Sequence, residues 1–478
     1  MLFNSFAFAI FLLIVLGGYY VLTQRAQNIW LLLASLVFYG WWDPRFILLL
    51  AVPTIIDYFC ALKIKAASRH ATKKRYLLLS LITNLTILGF FKYFNFFIDS
   101  AFQILEAVGR PHYKPFLYII LPVGISFYTF HEISYVVDVY REELEPVHDF
   151  IVYLNYVLFF PQLVAGPIAR ATQLLPQLQR ERRVTWQNIQ EGSLLMLLGY
   201  FKKVGVADVL APLVEIRFAY PGLCKGSDLL LALYYFSIQI YCDFSGYTDI
   251  ARGVSKLFGI ELQLNFNHPY FATNITDFWR RWHISLSTWL RDYLYIPLGG
   301  NKKGTLLTYR NLMLTMLLGG LWHGANWTFV VWGGLHGLYL SVHKLMLDYG
   351  RRSSVTDKLN AWRLLTSPLK VILTFHLVAL TWIFFRAGSF HTAWLYTRVI
   401  LTWQQASTIP AMNWLGGRVT LLIALLFAIE MVQYWSKDQV IILRLGGITR
   451  GFAYGALLVL IMALGGVYAE VPFIYFQF

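Results

Sequence analysis

The sequence predicts an all-α polytopic membrane protein, and three observations predict it. Hydrophobic residues make up 58% of the chain and charged ones only 14%, where about 25% charged is usual for a soluble domain. Mean hydropathy is +0.55. Apolar runs of helical length recur throughout, and a helix needs about 20 residues to cross a bilayer. The same composition excludes a disordered chain, a disulfide scaffold and a collagen-like fibre. Cys60, Cys224 and Cys242 are too few and too scattered for a disulfide framework or a Cys-rich metal site. The net charge of +15 does not point to nucleic acid, because about half of the basic residues flank apolar runs, where they meet anionic lipid. Sixteen Trp and 30 Tyr suit the aromatic belts at the two membrane surfaces.

Helices are expected in order near 3–22, 28–42, 46–60, 76–98, 115–138, 192–214, 228–248, 305–321, 326–342, 371–388, 418–435 and 451–469, roughly eleven to thirteen in one domain. The first lacks a basic leader and a small-residue cleavage site, so it reads as a retained helix and not a signal peptide. Residues 150–185, with Pro161, Gly166 and Pro167, suggest short re-entrant or tilted helices, which exist in a membrane only where other helices cover their backbone. The positive-inside bias places 61–75 in the cytoplasm, with Lys63, Lys65, Arg69, Lys73, Lys74 and Arg75 and no acid. It also places inside 344–370 (Lys344, Arg351, Arg352, Lys358, Arg363, Lys370) and 436–450 (Lys437, Arg444, Arg450). Residues 389–417, with only Arg398, fall outside, and both termini come out external; the sidedness of 139–304 stays open. No duplicated half is visible, which weakens a transporter reading, since many carriers are built from internal repeats.

Three polar clusters interrupt the apolar pattern, and ionisable groups at membrane depth are functional hypotheses by default. In YCDFSGYTD (241–249), Asp243 and Asp249 end an apolar helix; they line a polar passage or pair with arginines to fix the fold. In TDFWRRWHISLSTWLRDY (276–293), Trp279, Arg280, His283 and Ser287 share one face if the segment is a single helix. Arg280 and Arg281 could bind the phosphates of a carrier nucleotide, or pair with Asp277 and Asp292. In GGLWHGAN (319–326), followed by His336, His323 sits at the joint of two helices whose far ends are basic (Lys302, Lys303; Lys344), so it lies deep. Its flanking glycines let a substrate approach, and an imidazole takes a proton near neutral pH. A zinc site of His283, His323 and His336 is the weaker option, for want of Cys companions or HExxH spacing.

With these clusters the chain resembles the membrane-bound O-acyltransferase family, in the bacterial branch that serves alginate O-acetylation and D-alanine export. The resemblance runs through LPVGISFYTF (121–130), FPQLVAGP (160–167), DFSGYTD (243–249), 277–295, LGGNKKG (298–304), 311–326 and WIFFR (382–386). It implies one integral-membrane domain over 1–478, with a core of roughly 115–390 and peripheral helices at 1–100 and 418–470, arranged around a transmembrane tunnel in a bacterial inner membrane. It implies catalytic roles for His323 and His283; Arg280, Arg281, Asp243, Asp249, Trp322, Asn326 and His336, read from the polar clusters themselves, are expected to bind the donor or line the tunnel. The implied chemistry moves an acetyl group from a cytoplasmic thioester, acetyl-CoA, to an extracytoplasmic polysaccharide such as alginate, cellulose or peptidoglycan, with no bound cofactor and no metal. A periplasmic or membrane-anchored SGNH-type hydrolase-like partner completes delivery. The tail FIYFQF (473–478) is similar to that of a small partner protein of the D-alanine system, which makes Tyr475 a candidate acyl relay, or else an aromatic anchor. Transfer of another acyl group, D-alanine or lipid acyl, and a proton-coupled transporter are the alternatives.

Overall fold

A computed structural model describes residues 1–109, 119–164, 166–352, 366–412, 417–466 and 471–476. Lys358 and Arg363 of the basic segment, and Gln477 and Phe478 of the tail, lie outside the described residues. Every element among the described residues is helical. Among the described residues, five helices are long and apolar enough to cross a membrane: Arg45–Ala66, His70–Ala107, Ser367–Arg386, Gly417–Ser436 and Gly447–Leu464.

The chain divides into two compact units, residues 1–193 with 251–263, and residues 194–250 with 264–478. In the first unit, Arg45–Ala66, His70–Leu88 and Ile125–Tyr140 pack three ways. Their contact is polar inside: Asn84 Nδ2 donates to Asp57 Oδ2 at 2.7 Å, and the Thr54 hydroxyl donates to Glu132. Gly124 starts the third helix with φ +78°, and a Cβ there would come within 2.9 Å of the Leu163 carbonyl. The stretch 150–185 forms short helices, Phe150–Leu158, Phe160–Leu163 and Ala171–Gln179, as its prolines suggest. Neighbouring side chains take up the backbone groups freed at the breaks: the Ser35 hydroxyl accepts from Phe160 N at 3.1 Å, and Asp149 caps the first helix by accepting from Ile151 N and Val152 N.

The second unit is built on a helical hairpin, Thr305–His323 and Trp327–Arg352, the most extensively packed helix pair among the described residues. Glycines make it so. A Cβ on Gly320 would lie 2.2 Å from the Phe329 carbonyl oxygen, and one on Gly333 would lie 2.2 Å from that of Met316. Only hydrogen side chains permit that approach, the small-residue contact by which helices pack closely in membranes. Ser367–Arg386 packs on the second arm of the hairpin. A π-helical segment, Phe201–Ala207, joins residues 194–200 to Asp208–Ala219.

Candidate active site

His323 is the last residue of its helix, which Gly324 ends. Its ring is enclosed by aromatic ones: Trp332 at 5.0 Å, Trp322 at 5.1 Å, and Phe385 and Tyr475 at 5.5 Å between centres. The residue is 4% exposed, closed off from solvent by its neighbours.

The expectation of one continuous helix through the WRRWHIS motif is corrected. Ile275–Arg281 ends, and Ile284–Leu290 begins, on either side of a break at which His283 takes a left-handed conformation, φ +43° and ψ +55°. No shared polar face of Trp279, Arg280, His283 and Ser287 exists. Such a backbone in a non-glycine residue is held only where its surroundings over-determine it. Here Asn265 does so: its carbonyl accepts from Ile284 N at 2.9 Å, and its side-chain oxygen accepts from Ser285 N at 3.1 Å and from the Ser285 hydroxyl at 2.9 Å. The same oxygen lies 3.2 Å from His283 Nδ1. An amide oxygen only accepts, so Nδ1 carries the hydrogen, and in the neutral ring the lone pair is on Nε2. That nitrogen is buried with no hydrogen-bond partner among the described residues, which leaves it able to accept a proton from a bound group. The His283 and His323 rings are 6.2 Å apart.

His336 is buried with both nitrogens engaged. Trp279 Nε1 donates to its Nδ1 at 3.3 Å, and its Nε2 lies 3.0 Å from the Thr381 hydroxyl, which donates to Val378 O. Its ring backs Trp332 at 4.8 Å, so it supports the wall around His323. Asn326 caps the second arm of the hairpin, accepting from Thr328 N at 3.0 Å, and donates to Gly388 O at 3.2 Å. Arg281 bonds Asp277 at 2.9 Å and lies over the Tyr434 ring, while Arg280 is exposed. Among the described residues no three His, Cys, Asp or Glu side chains converge on a point that could hold a metal ion.

The two aspartates stand inside the helix Gly226–Leu257, not at its end, and the cations they meet are lysines, not arginines. Lys202 contacts Asp249 at 3.1 Å and Glu430 at 3.2 Å; Glu430 also accepts from the Tyr241 hydroxyl at 2.7 Å and bonds His268. Lys203 contacts Asp208 at 2.7 Å and Asp243 at 2.6 Å. Neither lysine, nor Asp208, Glu430, His268 or Asn265, stood out in the sequence, although two adjacent lysines within an apolar run, matched by two aspartates in another, were a usable signal. Tyr475 joins the site: its ring is 4.4 Å from Phe244 and 6.5 Å from His283, and its hydroxyl is buried with no partner among the described residues.

The model of the MBOAT, membrane-bound O-acyltransferase, family matches residues 36–386. The chain is 44% identical to the probable alginate O-acetylase AlgI of Pseudomonas aeruginosa, over 84% of this chain and 75% of that protein. It is 39% identical to the peptidoglycan O-acetyltransferase of Helicobacter pylori, over 82% and 78% of the two chains. It is 28% identical to the teichoic acid D-alanyltransferase of Bacillus subtilis, over 59% and 72%. The polytopic helical fold, the glycine-flanked His323 and these matches lead to one conclusion: the chain belongs to the membrane-bound O-acyltransferase family and is a multi-pass membrane acyltransferase.

Proposed function

We propose that the protein is an O-acetyltransferase that passes acetyl from cytoplasmic acetyl-CoA through the membrane to an extracytoplasmic polysaccharide. The observation that carries this reading is the convergence of His323, His283 and Tyr475 within one aromatic enclosure, three residues drawn from distant parts of the chain. The names of the alginate and peptidoglycan relatives support acetyl as the group and a polysaccharide as the acceptor. D-Alanine, named for a less similar relative, is the second reading.

Chemically, a thioester is an activated donor, but a hydroxyl with a pKa far above 7 needs its proton removed as it attacks. In our reading His323 takes that proton, the hydroxyl oxygen bonds the acetyl carbon, the carbon–sulfur bond breaks, and the thiolate leaves and collects the proton. The Tyr475 phenol, on a ring 5.5 Å from that of His323, is the hydroxyl we assign to this attack. Its acetyl ester would then pass to the acceptor, directly or through an external SGNH-type partner, with release of the phenol. A tunnel that admits the donor from the cytoplasm, an inner-membrane location and an external C-terminus belong to the same proposal. Its test is mass spectrometry of the C-terminal peptide after incubation with labelled acetyl-CoA and candidate glycans. Acetyl on Tyr475 that is chased into glycan supports the relay; an unmodified Tyr475, with full transfer by Tyr475→Phe, removes it.

A further inference from the structure

The C-terminal tail is held by the Lys203 cluster. Lys203 Nζ donates to Asp208 Oδ1 at 2.7 Å and to the Val471 carbonyl of the tail at 3.2 Å, and stands 2.6 Å from Asp243 Oδ1 as an ion pair. The other Asp243 oxygen accepts from the Ile474 backbone N–H at 2.7 Å. Two carboxylates offer four oxygens: Lys203 contacts one on each, the tail amide takes Asp243 Oδ2, and Asp208 Oδ2 is buried without a hydrogen-bond partner among the described residues. The side chains of Lys203, Asp208 and Asp243 are 3%, 1% and 4% exposed, so a displaced tail would leave a donor and an acceptor buried without partners.

Apolar contacts continue the grip along one face of the same helix. Phe473 packs on Tyr247 at 4.6 Å and Phe244 at 5.4 Å, and Tyr475 on Phe244 at 4.4 Å. Asp243, Phe244 and Tyr247 are the i, i+1 and i+4 residues of that face. The chain leaving Gly447–Leu464 also runs close against the π-helical segment: Gly466 N donates to Val204 O at 2.9 Å, and a Cβ on Gly466 would lie 3.0 Å from that of Asp208. The π segment separates the duties of its two lysines, sending Lys202 to Asp249 and Glu430, and Lys203 to the tail.

We propose that Lys203 and Asp243 are positioning residues: they lock the tail by its backbone and so seat Tyr475 against His323 and His283. The proposal rests on the reading of Tyr475 as the acyl carrier, and it assigns Asp243 to the tail instead of to the donor or the tunnel wall.

The test uses the full-length protein in lipid nanodiscs. Deuterium uptake by the C-terminal peptide reads the lock itself, independently of chemistry. Asp243→Asn and Lys203→Gln are expected to speed exchange of the 471–476 amides at least about tenfold. Ile474→Pro removes the backbone N–H that Asp243 accepts and leaves the ion cluster whole, at a backbone position, the first residue of the short Ile474–Phe476 helix, where proline is tolerated. It and Asp243→Asn should each lower acetyl transfer about 100-fold, the penalty for a misplaced reacting group, with the KM for acetyl-CoA within about twofold of wild type. Combined with Tyr475→Phe, Asp243→Asn should add nothing, because both act on one group. Unchanged deuterium uptake, or losses that multiply in the double variant, would overturn the lock. Wild-type transfer by Tyr475→Phe would remove the carrier role alone, and the exchange rates would still decide whether the tail is locked.

Discussion

The rings of His323 and His283 stand 6.2 Å apart, held there by unlike means. His323 ends a helix whose partner touches it glycine to glycine, while His283 sits on a left-handed kink fixed by Asn265. The first depends on backbone contact and the second on a side-chain clasp.

That difference separates chemistry from strain at position 283. Asn tolerates the left-handed region and Val does not. His283→Asn is expected to accumulate normally and to lose acetyl transfer by about 10²- to 10⁴-fold, the usual contribution of a proton-transfer group. His283→Val should also lower stability by about 1–2 kcal/mol, read as thermal unfolding in a fixed detergent. Equal stability of the two variants would mean that the kink is unstrained.

The hairpin makes a sharper demand. Alanine at Gly320 or Gly333 places a methyl carbon 2.2 Å from a carbonyl oxygen of the facing helix, so the two helices must part. Each substitution should cost at least about 1–3 kcal/mol, and protein abundance in membranes should fall with it. Gly334→Ala, whose Cβ meets only the Leu317 side chain at 3.5 Å, is the matched control and should be tolerated.

At the turn of the hairpin Asn326 acts as a cap. Asn326→Ala should lower the unfolding free energy by about 1 kcal/mol, and Asn326→Ser should keep most of it, because a hydroxyl oxygen also accepts from the Thr328 amide. Equal loss in both would assign the contribution to the bond with Gly388 O.

The Lys202 network tests how buried charge is balanced. Lys202→Met removes the ammonium that faces both Asp249 and Glu430, and breaking a buried pair from one side costs about 3–5 kcal/mol. Adding Glu430→Gln should recover part of that loss, since one of the two carboxylate charges facing the lost ammonium is then removed. A double variant less stable than Lys202→Met would show that the bonds of Glu430 to Tyr241 and His268 outweigh its charge.

Much of this was readable in the sequence because the bilayer writes itself into composition. Apolar runs at 46–60, 371–388, 418–435 and 451–469 became helices close to those bounds, and the prolines of 150–185 became breaks. The break at His283 escaped because nothing in WRRWHIS forbids a helix; Asn265, 18 residues earlier, imposes the kink. Asp243 looked like a wall residue because its amide partner, Ile474, is 231 positions away and carries no polar side chain to signal the contact. Lys202 and Lys203 are visible as a pair within an apolar run, but the π-helical turn that sends them to different partners has no local signature. What stayed illegible was pairing at long range, and the site is made of it.

Proton removal at His323 is tested most directly in proteoliposomes supplied with labelled acetyl-CoA on one side and a polysaccharide acceptor on the other. With His323→Ala at normal abundance, the expected result is a loss of acetyl transfer of at least about 10²-fold. Transfer at the wild-type rate, or transfer that survives the substitution but collapses when the proton gradient is removed, would contradict it.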